Sequence, residues 1–250
     1  MAVNKLEQIF DILRSKPKKR LVAAFANDDH TIEAVSMAID MGIVEATLVG
    51  DEKTINTVCA SHKIDPSKFK IVQEDDEMKA ANKAVELINK GEGDVLMKGL
   101  VSTDKYMRAI LNKETGLLPP KAVLSHVTVV QVPTYHKLLV VGDVAIIPAP
   151  DISQKVAITN YLIKTAHSLG IERPKVALLA ATEQVSAAMS ACIDASIISK
   201  MGDRGQIKNA IIDGPLALDV AIDNESAKIK KLTGLMALDW GLLNFGRFWD

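Results

Sequence analysis

Apolar positions along the chain switch repeatedly between helical spacing and short continuous runs. Leu6, Ile9, Phe10 and Leu13 fall at helical spacing within Lys5–Arg14, and Pro17 ends that stretch. Leu21–Ala26 (LVAAFA) is a short apolar run and reads as a buried strand. Helices are then predicted over Thr31–Met41, Glu52–Ser61, Asp76–Asn89 and Thr103–Leu111. They alternate with strands at Val44–Val49, Phe69–Val72 and Asp94–Gly99. This rhythm implies a parallel sheet with helices on both faces. From about Lys121 the rhythm changes. VLSHVTVVQV, KLLVVGD and VAIIPA are three β-rich runs with no helical pattern between them, which suggests antiparallel pairing. Alternation resumes with a helix over Ile152–Leu169, a strand at Val176–Ala181, a helix over Val185–Met201 and a strand at Ala210–Asp213. Pro215–Ile222 and Glu225–Leu232 are predicted helical. The break at Val132–Pro133 divides the chain into two α/β domains, 1–132 and 133–250.

Composition narrows the chemistry. The chain has 250 residues, room for a sizeable core. Lys+Arg (30) and Asp+Glu (31) nearly cancel, so no net field favours a polyanion, and nucleic acid is not expected as a partner. Aromatics are only 4%, which leaves the core to Ala, Val, Ile and Leu and offers no base-stacking platform. Cys59 and Cys192 make neither a disulfide framework nor a four-ligand zinc site. No apolar run approaches the roughly 20 residues of a membrane span, and the N-terminus lacks a signal-peptide core. No membrane association and a cytoplasmic location are expected.

Motifs exclude more. There is no GxGxxG after a strand, no GxxxxGK[ST], no GxSxG and no HExxH. His30, His62, His126, His136 and His167 have no metal-ligand spacing, and no metal site is expected. What remains is a set of polar residues at predicted strand ends, where open α/β sheets bind ligands. Lys98 and Gly99 follow DVLM; Gly99 lets backbone approach a ligand, and Ser102 or Thr103 can cap the next helix and present N–H groups to an anion. Lys98 and Arg108 supply positive charge. Ser125 and His126 lie in the β-rich region, and Asp143 follows LLVVG. Arg204 and Gly205 sit in GDRG, which reads more readily as a helix C-cap plus turn. Asp213 and Gly214 sit in DGP, which reads more readily as a turn with proline at the helix start. Together these residues describe an anion-binding cleft with few evident acids or bases.

At these residues the sequence resembles the phosphate acetyltransferase/phosphate butyryltransferase family, the butyryl branch more closely. The resemblance is carried by DVLMKGLVSTDKYMRAIL, AVLSHVTVVQVP, the run Ile146–Asp151, GIERPKVALLAATE and SKMGDRGQIKNAIIDGPLALDVAI, and it spans about residues 4–234. It implies a two-domain α/β fold of mostly parallel sheets flanked by helices, like that of isocitrate and isopropylmalate dehydrogenases. It implies an active site between the domains and a homo-oligomer. The implied reaction converts a short-chain acyl-CoA and phosphate to acyl phosphate and CoA, with coenzyme A a substrate and no cofactor. Arg108 matches an arginine used near phosphate. With Lys98 it is expected to be catalytic, while Gly99, Ser102, Thr103 and Arg204 are expected to bind anion. Ser125, His126, Asp143, Gly205, Asp213 and Gly214 complete the expected substrate-binding set.

After Gly234 the sequence departs from the resemblance. A turn, a buried strand and a Ser-Arg…Asp motif would follow, supplying an arginine and the acceptor of the thiol proton. Here the chain reads LMALDWGLLNFGRFWD, which holds both tryptophans and no Ser-Arg pair. A truncated or frame-altered C-terminus and a feeble acyltransferase are therefore expected, against a divergent tail packing as a short helix. Two other functions remain open: a non-catalytic module that binds CoA or phosphate, and a metal- and NAD(P)-dependent decarboxylating dehydrogenase.

Overall fold

The computed structural model describes residues 2–231 and 241–245. It divides into two compact units, one of Phe10–Ala122 and one of Met1–Ile9 with Val123–Asp250. The division passes through α1 (Glu7–Arg14). The sequence boundary at 132/133 would instead separate two strands that pair, as described below. Trp240, Phe248 and Trp249 of the aromatic tail lie outside the described residues.

The first unit holds four parallel strands in the order β3-β2-β1-β4: β1 (Lys19–Ala24), β2 (Val44–Gly50), β3 (Phe69–Gln73) and β4 (Val95–Lys98). Between them run α2 (Asp29–Asp40), α3 (Glu52–Ser61) and α4 (Glu77–Asn89), with α5 (Thr103–Leu111) after β4. The apolar runs become strands because both faces are covered. Val22, Ala24 and Val49 pack against Ala80, Ala81 and Ala84 of α4, while Ala23, Ala46 and Leu48 pack against Ile32, Val35 and Ile55. Small alanines on both sides let helix and sheet approach closely, which an aromatic-poor core requires.

In the second unit five strands run in the order β5-β6-β9-β7-β8. β5 (Val127–Val130) pairs antiparallel with β6 (Leu139–Gly142), as the β-rich pattern suggests. VAIIPA is no strand: Val144 and Ile146 are exposed, and the Asp143 carboxylate binds the Ala145 and Ile146 N–H groups, which turns the chain away from the sheet. α6 (Ile152–Ser168) starts with a capping box of Asp151 and Gln154. It leads to β7 (Lys175–Leu179), α7 (Ser190–Asp203) and β8 (Ile211–Leu216). α7 starts later than its predicted Val185, which stays exposed, and ends at Asp203. β8 runs through Gly214 and Pro215, where a helix start was predicted. As an edge strand it tolerates the missing proline N–H. α8 (Leu218–Ile222) and α9 (Asn224–Ile229) follow.

The pattern gave no sign of β9 (Leu242–Phe245). It lies between β6 and β7, parallel to both, with Val140 beside Leu242 and Val176 beside Leu242. This stretch of the tail is a central strand rather than the short helix considered above. Leu242, Leu243 and Asn244 are buried.

Candidate anion-binding site

All four strands of the first unit are parallel, so Ala24, Gly50, Gln73 and Lys98 end at one edge, where open α/β sheets bind ligands. The helices that start there differ at their caps. Asp28 of α2 accepts from Thr31 N–H (2.9 Å), Asp51 of α3 from Thr54 N–H (2.9 Å), and Asp76 of α4 from Lys79 N–H (2.8 Å). An aspartate cap fills the donors and places negative charge where an anion would bind. Ser102 is the N-cap of α5, and its side chain makes no capping hydrogen bond.

The loop before α5 is held tightly. Gly99 N–H donates to Ala24 O (3.0 Å) and Leu100 N–H to Phe25 O (2.9 Å), while Val101 is fully buried. A Cβ on Gly99 would lie 2.6 Å from Phe25 O and 2.8 Å from Ala24 O, so glycine is required by close approach of two backbones. Lys98 is exposed, with Nζ 3.4 Å from Gly99 O. Thr103 opens α5, and Arg108 is in its last turn, Nε 3.1 Å from Asp104 Oδ1. Lys98, Gly99, Ser102, Thr103 and Arg108 thus share one loop and helix. Pattern reading missed Glu77, which accepts from Ser102 N–H and pairs with Lys105 Nζ. Those two contacts hold its carboxyl below the usual glutamate range.

In the second unit the structure brings Ser125, His126 and Asp143 together. Asp143 Oδ2 accepts from Ser125 Oγ (2.9 Å) and His126 N–H (3.1 Å); Oδ1 accepts from Ala145 N–H (2.8 Å) and Ile146 N–H (2.9 Å). Burial opposes its charge, but these four donors outweigh burial and lower its pKa. A carboxylate so engaged anchors two loops and is a poor proton acceptor. His126 Nδ1 is buried without a hydrogen-bond partner.

The remaining candidates do not join this group. Arg204 is the C-cap of α7, and Gly205 (φ +71°) takes the left-handed position after it, with its N–H donating to Gly202 O (3.0 Å). Both lie where β8 begins, since Gly202 abuts Ile212. That is the edge opposite to the ends of β7 and β8. GDRG is thus a helix terminus, dictated by the turn into β8. Asp213 is inside β8, its Oδ1 accepting from Gly214 N–H (2.8 Å), and burial raises its pKa. Gly214 is needed for packing, since a Cβ there would meet Leu178 Cβ at 2.6 Å.

Two α/β units built on largely parallel sheets, one with a helix start that lacks a side-chain cap at its strand ends, define the class of protein. Comparison with known proteins gives the class a name. A family model described as phosphate acetyl/butaryl transferase matches residues 5–83 and 73–237. The phosphate butyryltransferase of Clostridium acetobutylicum is 42% identical over 235 residues, covering 94% of this chain and 78% of that protein. The phosphate acetyltransferase of Thermotoga maritima is 37% identical over 232 residues, covering 93% and 78%. Among solved structures, a branched-chain phosphotransacylase from Enterococcus faecalis superimposes with a TM-score of 0.76 at 25% identity, covering 90% of this chain and 78% of that one. A phosphotransacetylase from Streptococcus pyogenes shares the fold, with a TM-score of 0.78 at 18% identity over 96% of this chain and 82% of its own. The chain belongs to the phosphate acetyl/butyryl transferase family and is an acyltransferase.

Among the described residues no helix is long and apolar enough to cross a membrane, and no three His, Cys, Asp or Glu side chains converge as a metal site would need.

Proposed function

We propose that the chain moves a short-chain acyl group between coenzyme A and inorganic phosphate, with phosphate received at Lys98, Gly99, Ser102, Thr103 and Arg108. The observation supporting this reading is the start of α5, which has no side-chain cap where α2, α3 and α4 each have an aspartate. A phosphate oxygen attacks the thioester carbonyl carbon, the carbon–sulfur bond breaks, and the proton lost by the phosphate passes to the thiolate, which leaves as CoA. Negative charge builds on the carbonyl oxygen during attack, and Lys98 and Arg108 are the cations we assign to offset it. The Ser102 and Thr103 hydroxyls orient the phosphate. We assign Ser125, His126 and Asp143 to substrate binding as well. Coenzyme A is a substrate in this scheme, and no cofactor is needed. A dehydrogenase-like two-domain architecture, a homo-oligomer and a cytoplasmic location belong to the same reading.

The test is phosphate-dependent release of CoA thiol from butyryl-CoA. Release that requires phosphate is expected. Neither release nor CoA binding by calorimetry, from folded protein, would refute the acyl-transfer reading. CoA binding without release would favour a binding module.

A further inference from the structure

The start of α5 already holds an anion supplied by the protein. Glu77 stands in the first turn of α4, and its side chain is 24% exposed. One carboxylate oxygen accepts the Ser102 N–H, and the other pairs with the Lys105 ammonium. Both donors belong to the segment to which the phosphate is assigned. The other groups there are differently engaged: Arg108 meets Asp104 in an exposed pair, and Lys98 donates to the Gly99 carbonyl. We propose that Glu77 is an internal counter-anion that competes with phosphate for the α5 donors and so sets how weakly the protein binds phosphate. This rests on the reading that phosphate is received at Ser102 and Arg108.

The physical case is one of like ligands. A carboxylate and a phosphate use the same donors, N–H groups at a helix start and a nearby ammonium. While Glu77 keeps both, an incoming phosphate either displaces it or binds beside its charge. In the absence of substrate, Glu77 also satisfies the N–H of the N-cap residue Ser102. A purely structural role predicts the opposite sign: loss of Glu77 would then loosen the loop and weaken phosphate binding. Affinity therefore separates the two roles, where stability alone would not.

The test titrates inorganic phosphate into the full chain, read by phosphorus NMR line shape, so it does not depend on turnover. Glu77→Gln is expected to tighten phosphate binding about twofold to tenfold, the size of one charge at a helix terminus. Glu77→Ala is expected to move affinity the same way, with thermal melting confirming that both variants fold. Arg108→Ala is expected to weaken binding. Unchanged or weaker binding in both Glu77 variants, with Arg108→Ala weakened, would overturn the counter-anion role and leave the site. Unchanged binding in Arg108→Ala would overturn the site reading itself.

Discussion

Leu243 offers a sharp test of the second unit, because β9 comes from a stretch that resembles nothing upstream. Its side chain is 2% exposed and packs with Leu139, Val141, Ala177, Leu179 and Leu216. Leu243→Ala removes three buried carbon groups, a transfer loss of about 2.4 kcal/mol at ~0.8 each. The void left in a close-packed sheet core adds to this, within the ~2–5 kcal/mol range for such truncations. We expect a loss of about 3 kcal/mol, a large share of the ~5–15 kcal/mol that holds a domain together. For a unit of this size that corresponds to a fall of roughly 9–15 °C in melting temperature. Ile229→Ala is the control: Ile229 is 80% exposed, and a change within about 0.5 kcal/mol is expected. The assay is thermal and urea unfolding followed by far-ultraviolet circular dichroism. A Leu243→Ala melt within 2 °C of the parent would show that β9 is not a central strand in solution.

Two further predictions follow from the site and its surroundings. Gly99→Ala forces a Cβ onto Phe25 O and Ala24 O, and is expected to cost about 1–3 kcal/mol in urea unfolding and to weaken phosphate binding; unchanged values in both would refute the close-approach argument. Asp143 and Asp213 are expected to respond oppositely to pH. The folded pKa of Asp143 is lowered, so its charge stabilises above the unfolded value near ~4 and that contribution is lost as pH falls through the folded value; Asp143→Asn should remove it. The folded pKa of Asp213 is raised, so its charge destabilises once pH rises above ~4; Asp213→Asn should be the more stable protein at neutral pH and lose that advantage in acid. Stability–pH curves of the two variants that shift in the same direction would contradict this.

Much of this protein was legible because its signals are local. α3 and α5 have the bounds that helical spacing gives them, and α2 and α4 start beside the aspartates that cap them. Gly99 could be singled out because a strand followed by Lys-Gly and a Ser-Thr helix start is a local arrangement. The antiparallel β5–β6 pair was visible as alternation without helix. What the sequence alone determined is therefore the β-α rhythm, the apolar faces and the loop of residues 98–103. Only the tertiary structure decided matters that depend on partners far along the chain. LLNF is too short to declare itself; β6 and β7 make it a central strand, since each offers it a hydrogen-bonding edge. Gly214-Pro215 reads as a helix start until β7 pairs with β8. Glu77 looks like any acidic residue in a first helical turn, and only the fold brings it to Ser102, 25 residues away. Asp143 is one aspartate after a strand until two loops close on it. In each case the deciding free energy is a contact between distant segments, which no local period encodes.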